Sequence, residues 1–214
     1  MKISSLAIII AVVVVVLIGW AVAEHRGITP KNGTAVSTMQ EVSADEWIKG
    51  TPDASVTLIE YSDFQCPACR AYQPMVSQLA EEFGDKIAVA YRHFPLRSIH
   101  RNAEAAARAA EAAGVQGKFW GMHDALFDGQ STWSALNNPQ ETFEFYAKDL
   151  GLDVERFKAD SKSDAVKERV GADYASGVAA RISGTPTFFL NGQRIENPAG
   201  YEAFKVIVEN ALKS

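Results

Sequence analysis

The chain has 214 residues, 47% of them hydrophobic, and carries a formal net charge of −5 at pH 7. This length is enough for one ordinary domain with attachments and a substantial core. The sequence is acidic overall and has no run of basic residues. Composition therefore argues against nucleic acid as a partner.

Residues 1–23 contain a long apolar run that begins at Leu6 and is preceded by Lys2. Such a run can just cross the core of a bilayer, and the early Lys places the N-terminus inside and the following domain outside. The end of the run, Ala21 to Ala23, also fits a signal-peptidase site, so a cleaved signal is the alternative. We favour an uncleaved transmembrane anchor because the run is longer than an ordinary signal core. Both interpretations predict export.

Residues 24–46 form a polar segment with Gly, Pro, Ser and Thr and no periodicity, which predicts a linker. Fully extended, it would span at most about 80 Å. As a coil it would span roughly 25–30 Å. A domain comprising residues 47–214 would therefore work close to a membrane surface.

The stretch Val56–Ser62 is rich in β-branched and apolar residues, predicts a buried strand, and leads directly to the chain's only two cysteines. Pro67 marks the start of a helix, because its missing N–H would be unpaired there. Cys66 then lies at the helix N-terminus, where the first N–H groups and the macrodipole lower a thiol pKa from about 8.5 to about 3.5–7.5. Cys69 faces the apolar body of the domain and stays protonated. The pair thus predicts an exposed attacking sulfur and a buried resolving one, as thiol–disulfide exchange requires.

A Cys-X-X-Cys sequence can also belong to a zinc site or to an inert structural disulfide. A zinc site needs four ligands, and the chain has no second cysteine pair and only four histidines with unsuitable spacing. An inert structural disulfide would close so small a loop that it would restrict the unfolded chain little. Redox chemistry is favoured over both alternatives.

Glu60 stands in the predicted buried strand, six residues before Cys66. Its side chain could simply face solvent or a sheet edge, since Glu is usually exposed. The functional interpretation is a buried carboxyl beneath the cysteine pair. Burial would raise its pKa, so that it could exchange a proton with Cys69.

The helix that carries the cysteines is expected to contain a kink at Pro74 and to end at Gly84. A strand from Lys86 to Phe94 follows. Residues 97–182 then have helical patterns throughout, with Asn138-Pro139 at one helix start. They predict an inserted α-helical subdomain.

Strand character returns at the end of the chain. Asn191-Gly192 between two short apolar runs predicts a hairpin. Asn197-Pro198 is expected to start the last helix. Before the first strand, residues 47–53 are interpreted only as a lead-in through a turn.

The resulting order is strand, helix, strand, helical insertion, Thr-Pro, two strands and helix. With its Cys-Pro-Ala-Cys helix start, this α/β chain resembles the thioredoxin fold with an inserted helical domain. It is similar to the DsbA-like family of exported thiol–disulfide oxidoreductases, particularly those with a single N-terminal anchor. The resemblance extends from about residue 46 to the end and rests on four stretches: Glu60–Cys69, Arg92–Leu96, Gln116–Trp120 and Gly184–Phe188.

The resemblance implies several functional residues. It implies a cis bond between Thr185 and Pro186 that faces the cysteines and leaves the Thr185 backbone free to pair with an extended substrate. It also implies a proton-handling role for Glu60. Pro67 and Ala68 would tune the reactivity of the pair. The best-known oxidases of the family carry His where this chain has Ala68, so the resemblance leaves the oxidising strength open.

We therefore expect a membrane-tethered, extracytoplasmic dithiol oxidase that donates a Cys66–Cys69 disulfide to exported proteins with free thiols. It would need no metal or organic cofactor and would act as a monomer. In this family, reoxidation typically falls to a quinone-coupled membrane protein. The alternatives are a reductase or isomerase held in the dithiol form, and a non-catalytic chaperone or binding module with a structural cysteine pair. Isomerases of this type usually dimerise through an added N-terminal domain, which the short predicted linker does not offer.

Overall fold

A five-stranded mixed sheet is the centre of the fold. The computed structural model describes residues 42–43 and 46–213, so the predicted anchor and nearly all of the predicted linker lie outside the described residues. The strands follow the spatial order β1-β3-β2-β4-β5. Only β2 and β3 run parallel, and the other neighbours are antiparallel. Their bounds are β1 (Trp47–Gly50), β2 (Val56–Ser62), β3 (Ile87–His93), β4 (Thr187–Leu190) and β5 (Gln193–Ile195).

Helices cover both faces of this sheet, which is why the central strands are apolar on both sides. None of the helices in the described part of the chain combines the length and the apolar character needed to cross a membrane. The helices are α1 (Pro67–Phe83), α2 (Ala103–Val115), α3 (Phe119–Asp128), α4 (Gln130–Trp133), α5 (Gln140–Asp149), α6 (Val154–Asp160), α7 (Asp164–Ala179) and α8 (Tyr201–Ala211).

Helices α2 to α7 all lie between β3 and β4, which confirms the predicted helical insertion. The predicted α1 and β2 are also confirmed, and a short 3₁₀ turn at Gly84–Lys86 leads from α1 into β3. The hairpin is confirmed as well, since Asn191 and Gly192 both have positive φ, of 47° and 76°. Two positive φ values define the turn type that this dipeptide favours.

Three element starts differ from the prediction. Residues 47–50, expected as a lead-in, form β1 against β3. Helix α8 begins at Tyr201 instead of Asn197, and α5 begins at Gln140 with Pro139 as its cap. In the last case the Asn138 side chain still accepts the Gln140 N–H at 3.2 Å, but it does so from one residue before the cap.

The ordered domain extends into the segment predicted as linker. Glu46 forms an ion pair with Arg92 of β3, and the two side chains are only 7% and 2% exposed. Val42 packs against a hydrophobic cluster around Tyr61 and Phe189. The described contacts of the domain therefore include residues before β1.

The insertion and the sheet share one hydrophobic cluster. Phe64 and Tyr91 from the sheet side belong to the same cluster as Phe119 and Trp133 from the insertion. At one close approach, a Cβ on Gly177 of α7 would come within 2.5 Å of the Phe94 ring. The packing therefore leaves room only for glycine at this position.

Candidate active site

The two cysteines lie where the sequence placed them. Cys66 is the N-cap of α1, with extended backbone angles (φ −74°, ψ 121°), and Pro67 is the first helical residue. Cys69 is one turn inside and fully buried. Neither cysteine is in a disulfide, so the structure is that of the dithiol form.

Cys66 is more covered than the sequence suggested, since only 6% of its surface is exposed. The cause is a distant segment, because the carbonyl oxygen of Thr185 lies 3.4 Å from Cys66 Sγ. The attacking sulfur, predicted to be exposed, is therefore largely covered. Burial alone does not distinguish the two cysteines sharply.

Their electrostatic environments do distinguish them. The pKa of Cys66 is lowered to about 5, first because the Cys69 thiol hydrogen-bonds to it, and further through the Thr185 side chain and the backbone N–H groups of Cys69 and Ala68. Burial opposes this shift without cancelling it. The pKa of Cys69 is raised, because burial and the nearby negative charges of Cys66 and Glu60 disfavour a second thiolate. The helix N-terminus thus contributes as expected, although the partner thiol contributes more.

The loop opposite the cysteines contains the Thr185–Pro186 bond, which is cis as the family resemblance implied. The Asn197 side chain donates a hydrogen bond to the Pro186 carbonyl at 2.9 Å and braces the loop. A groove of about 550 Å³ lies beside it, lined by Ser183–Thr187 and Arg194–Asn197. The groove opens next to the residue whose carbonyl faces Cys66.

Glu60 is buried, with 3% of its surface exposed, which confirms the predicted burial. Desolvation raises the pKa of its carboxyl to about 7. Within the described residues, Glu60 Oε1 has no hydrogen-bond partner, and the hydroxyls of Ser62 and Tyr91 also lack one. A cavity of about 10 Å³ between Glu60, Lys49, Tyr91 and His123 has room for roughly one water molecule. Glu60 can therefore exist in either protonation state near neutral pH.

Asp63 organises the loop before Cys66, and sequence reasoning did not single it out. Its carboxylate accepts hydrogen bonds from the backbone N–H of Gln65 at 2.7 Å and of Leu96 at 2.8 Å. It also pairs with His100 at 2.8 Å while its own side chain is fully buried. The bond to Gln65 is a local Asx turn that the sequence could have suggested. The contacts with Leu96 and His100 join distant segments and left no local signal.

One buried group of residues that are able to ligate a metal occurs in the described part of the chain, at His93, Glu111 and Asp173. Both of its carboxyl groups already have partners within the protein. Glu111 accepts from His93 and from Trp47, each at 2.8 Å, and Asp173 pairs with Arg169. Neither cysteine belongs to this group, so it gives no support to a zinc site at the cysteine pair.

Comparison with known proteins settles the family. A family model described as thioredoxin matches residues 43–210. The chain belongs to the thioredoxin family.

Solved structures share this fold, and DsbA proteins, which the motifs of this chain resemble, are among them. The chain is similar to a thioredoxin-like oxidoreductase from Silicibacter pomeroyi DSS-3, with 25% identity, a TM-score of 0.67 and coverage of 80% of this chain and 95% of that chain. BdbD from Bacillus subtilis, in its oxidised form, is 23% identical with a TM-score of 0.69 and coverage of 83% and 98%. Alpha-DsbA1 from Wolbachia pipientis is 18% identical with a TM-score of 0.71 and coverage of 80% and 93%.

Curated relatives of this thioredoxin-family chain are much longer proteins. The Na(+)/H(+) antiporter NhaA 1 of Mycolicibacterium gilvum (strain PYR-GCK) is 34% identical over 201 residues, which are 91% of this chain and 31% of that protein. The Na(+)/H(+) antiporter NhaA 3 of Salinispora tropica is 36% identical over 180 residues, which are 84% and 27%. The chain thus spans about a third of their length. Together, family and fold support thiol–disulfide exchange as the general activity.

Proposed function

We propose that this protein is an extracytoplasmic dithiol oxidase that transfers a Cys66–Cys69 disulfide to exported proteins with free thiols. The opposed pKa shifts of the two cysteines carry the proposal. A thiolate that is stabilised at Cys66 stabilises the dithiol form of the protein. A disulfide whose reduced product is stabilised is a strong oxidant, so the pair tends to give its disulfide away.

The exchange has two steps. A substrate thiolate attacks Cys66 Sγ, the Cys66–Cys69 bond breaks, and a mixed disulfide with Cys66 forms. Cys69 leaves with the electron pair and takes up a proton, as its raised pKa requires, and Glu60 is proposed to supply that proton. A second substrate thiolate then attacks the substrate sulfur and releases Cys66 as a thiolate. The substrate gains a disulfide and the protein ends as a dithiol.

Further parts of the proposal concern location and partners. The protein would be held at the membrane by the anchor predicted at residues 1–23, act as a monomer, and be reoxidised by a quinone-coupled membrane protein. An extended substrate segment would lie along Thr185 and Pro186, in the groove beside Cys66. The antiporter activity in the names of the curated relatives is not part of this proposal, because the chain covers only about a third of those proteins.

Equilibration of the full chain with a glutathione redox series tests the direction of the reaction. An oxidase should have a reduction potential above about −180 mV. A potential near about −270 mV, where thioredoxin lies, would contradict the proposal and favour a reductase. A chain with both cysteines replaced that kept its cellular activity would instead favour a binding module.

Single replacements test the roles of the two sulfurs. Cys66→Ala should abolish both exchange and covalent capture of substrates, because the attacked sulfur is gone. Cys69→Ala keeps that sulfur but removes the intramolecular route that releases a bound substrate, so mixed disulfides should accumulate. They would appear on non-reducing gels as high-mass bands that collapse on reduction. Equal trapping by the two variants would refute the assignment of roles.

A further inference from the structure

The helical insertion reaches the reactive loop through Gln130. This residue opens α4 and is only 4% exposed. Its Nε2 donates hydrogen bonds to the carbonyl oxygens of Phe64 at 2.7 Å and of Cys66 at 2.9 Å. Both partners can only accept, so the amide nitrogen must face them. One side chain of the insertion therefore holds the loop on both sides of Gln65.

The bond to Cys66 acts on the start of α1. The Cys66 carbonyl also accepts the Arg70 N–H at 3.2 Å, which is the first hydrogen bond of the helix. A carbonyl oxygen has two lone pairs, and Gln130 occupies the second. The two donors fix the plane of the peptide that joins Cys66 to Pro67. They thereby fix the direction in which the Cys66 side chain leaves the backbone.

Two further amide side chains hold the same loop to the insertion. Gln65 accepts the Asn102 N–H at 2.7 Å and donates to the Ser134 carbonyl at 3.1 Å. Asn102, which is 5% exposed, donates in turn to the Leu136 carbonyl at 2.8 Å. Among these hydrogen bonds, only one of the two that Gln130 donates goes directly to a reactive cysteine, Cys66.

We propose that Gln130 is a positioning residue for thiol–disulfide exchange, which keeps the Cys66 sulfur where the Cys69 thiol and the first N–H groups of α1 stabilise its thiolate. The insertion is then a component of the reactive centre and helps to set the oxidising strength of the pair. The inference rests on the proposed exchange function. It concerns a residue that lies 64 positions after Cys66 and outside every motif of the sequence.

Gln130→Met in the full chain tests this role, because Met is also unbranched and of similar size but cannot donate. Without the two hydrogen bonds, the Cys66 sulfur should move away from the groups that stabilise its thiolate. The pKa of Cys66 should then rise by roughly one unit, and the equilibrium with glutathione should shift about tenfold toward the protein disulfide. The matched control is Gln116→Met. Gln116 makes its side-chain hydrogen bonds with Asp153, inside the insertion, and its replacement should leave both quantities unchanged.

Thiolate absorbance against pH and the glutathione equilibrium decide the outcome. Values for Gln130→Met that equal those of the unmodified chain, or equal shifts in both variants, would overturn the inference. If Gln130→Met does not fold, Gln130→Asn takes its place, because it keeps a buried amide that is too short to reach both carbonyls. If Gln130→Asn then leaves the pKa of Cys66 and the glutathione equilibrium unchanged, the inference is overturned. If the unmodified chain itself has no acidic thiol, the proposed oxidase function is contradicted instead. Failure of the inference about Gln130 and failure of the proposed function can therefore be told apart.

Discussion

At Cys66, the lowered pKa couples stability to pH. The pKa is about 5 in the folded dithiol form against an ordinary value of 9.0, so ionisation stabilises the folded state. This stabilisation is complete above the ordinary value and is lost as the pH falls toward the folded value. Between pH 5 and 7 this stabilisation grows with pH, by at most about 1.36 kcal/mol per unit.

We therefore expect the reduced chain to exceed Cys66→Ser in stability by an amount that grows from pH 5 to pH 9. Urea denaturation of both chains across this range measures the difference. Thiolate absorbance should show the matching transition well below about 8.5 and should lose it in Cys66→Ser. A stability difference that does not change with pH would contradict the assignment of the acidic thiol.

Glu60 should show the opposite dependence on pH. Its pKa rises from 4.5 to about 7 on folding, so the folded state is penalised once the pH exceeds the ordinary value. The penalty grows to about 3 kcal/mol near pH 7, since 2.5 units separate the two values. Glu60→Gln should thus stabilise the chain at pH 7.5 and have little effect at pH 4, as measured by urea denaturation.

The same substitution should slow the exchange, because an amide cannot carry the proton that Cys69 needs when it leaves. Stopped-flow measurement of the disulfide transfer to a peptide dithiol gives the rate. The control is Glu168→Gln, an exposed position on α7, which should leave the rate unchanged. Equal rates for Glu60→Gln and the unmodified chain would exclude Glu60 as the proton donor.

The residues of the site divide by how their roles are encoded. Cys66, Cys69 and Glu60 could be predicted, because a strand followed by a helix start fixes their surroundings within ten residues. Gln130 was missed because its partners lie on another segment. Asp63 was missed although its bond to Gln65 is local, because its other partners, Leu96 and His100, lie on a distant segment. The coverage of Cys66 was missed for the same reason, since it depends on Thr185.

Among the elements, the segment before β1 is secured by an ion pair. Arg92 donates to Glu46 through Nε at 3.1 Å and through Nη2 at 2.7 Å, and both side chains are almost fully buried. Removal of one partner of a buried ion pair typically costs about 3–5 kcal/mol. This pair therefore differs from the surface pairs of the insertion.

Glu46→Ala should accordingly lower the free energy of unfolding by about 3 kcal/mol or more, and Arg92→Met in the same chain should recover part of the loss. Glu155→Ala, which removes an exposed pair with Lys158, serves as control and should cost less than about 1 kcal/mol. Urea denaturation measures all three. A loss for Glu46→Ala no larger than that of the control would mean that the segment is not held by this pair.

Element types were more predictable than element limits. The patterns of β2, α1 and the insertion are long and periodic, so local sequence determines them. β1 has only four residues and forms because β3 offers a free edge, which no local pattern shows. The start of α8 was misplaced because the Asn197 side chain bonds to Pro186 instead of capping the helix.

For the molecule as a whole, the shared hydrophobic cluster predicts a single unfolding transition of the described domain. Phe64 and Tyr91 of the sheet side pack with Phe119 and Trp133 of the insertion, so separation of the two parts would expose apolar side chains of both. Calorimetric and van't Hoff enthalpies of thermal unfolding should agree. Two separate transitions would show that the insertion is an independent unit.

The near-complete coverage of Cys66 also affects whether a substrate protein can be oxidised before or after it folds. The Thr185 carbonyl lies 3.4 Å from Cys66 Sγ, so we expect a sulfur fixed in the surface of a compact partner to reach Cys66 slowly. An extended, mobile segment could instead lie in the groove of about 550 Å³ that Thr185 helps to line. Under the proposed function, cysteines of a substrate would therefore be joined first and the substrate chain would fold afterwards. We expect the chain to oxidise a substrate protein that is held unfolded faster than the same protein in its native state. The rate of its reaction with glutathione, which has no fold, should be the same in the presence of either form.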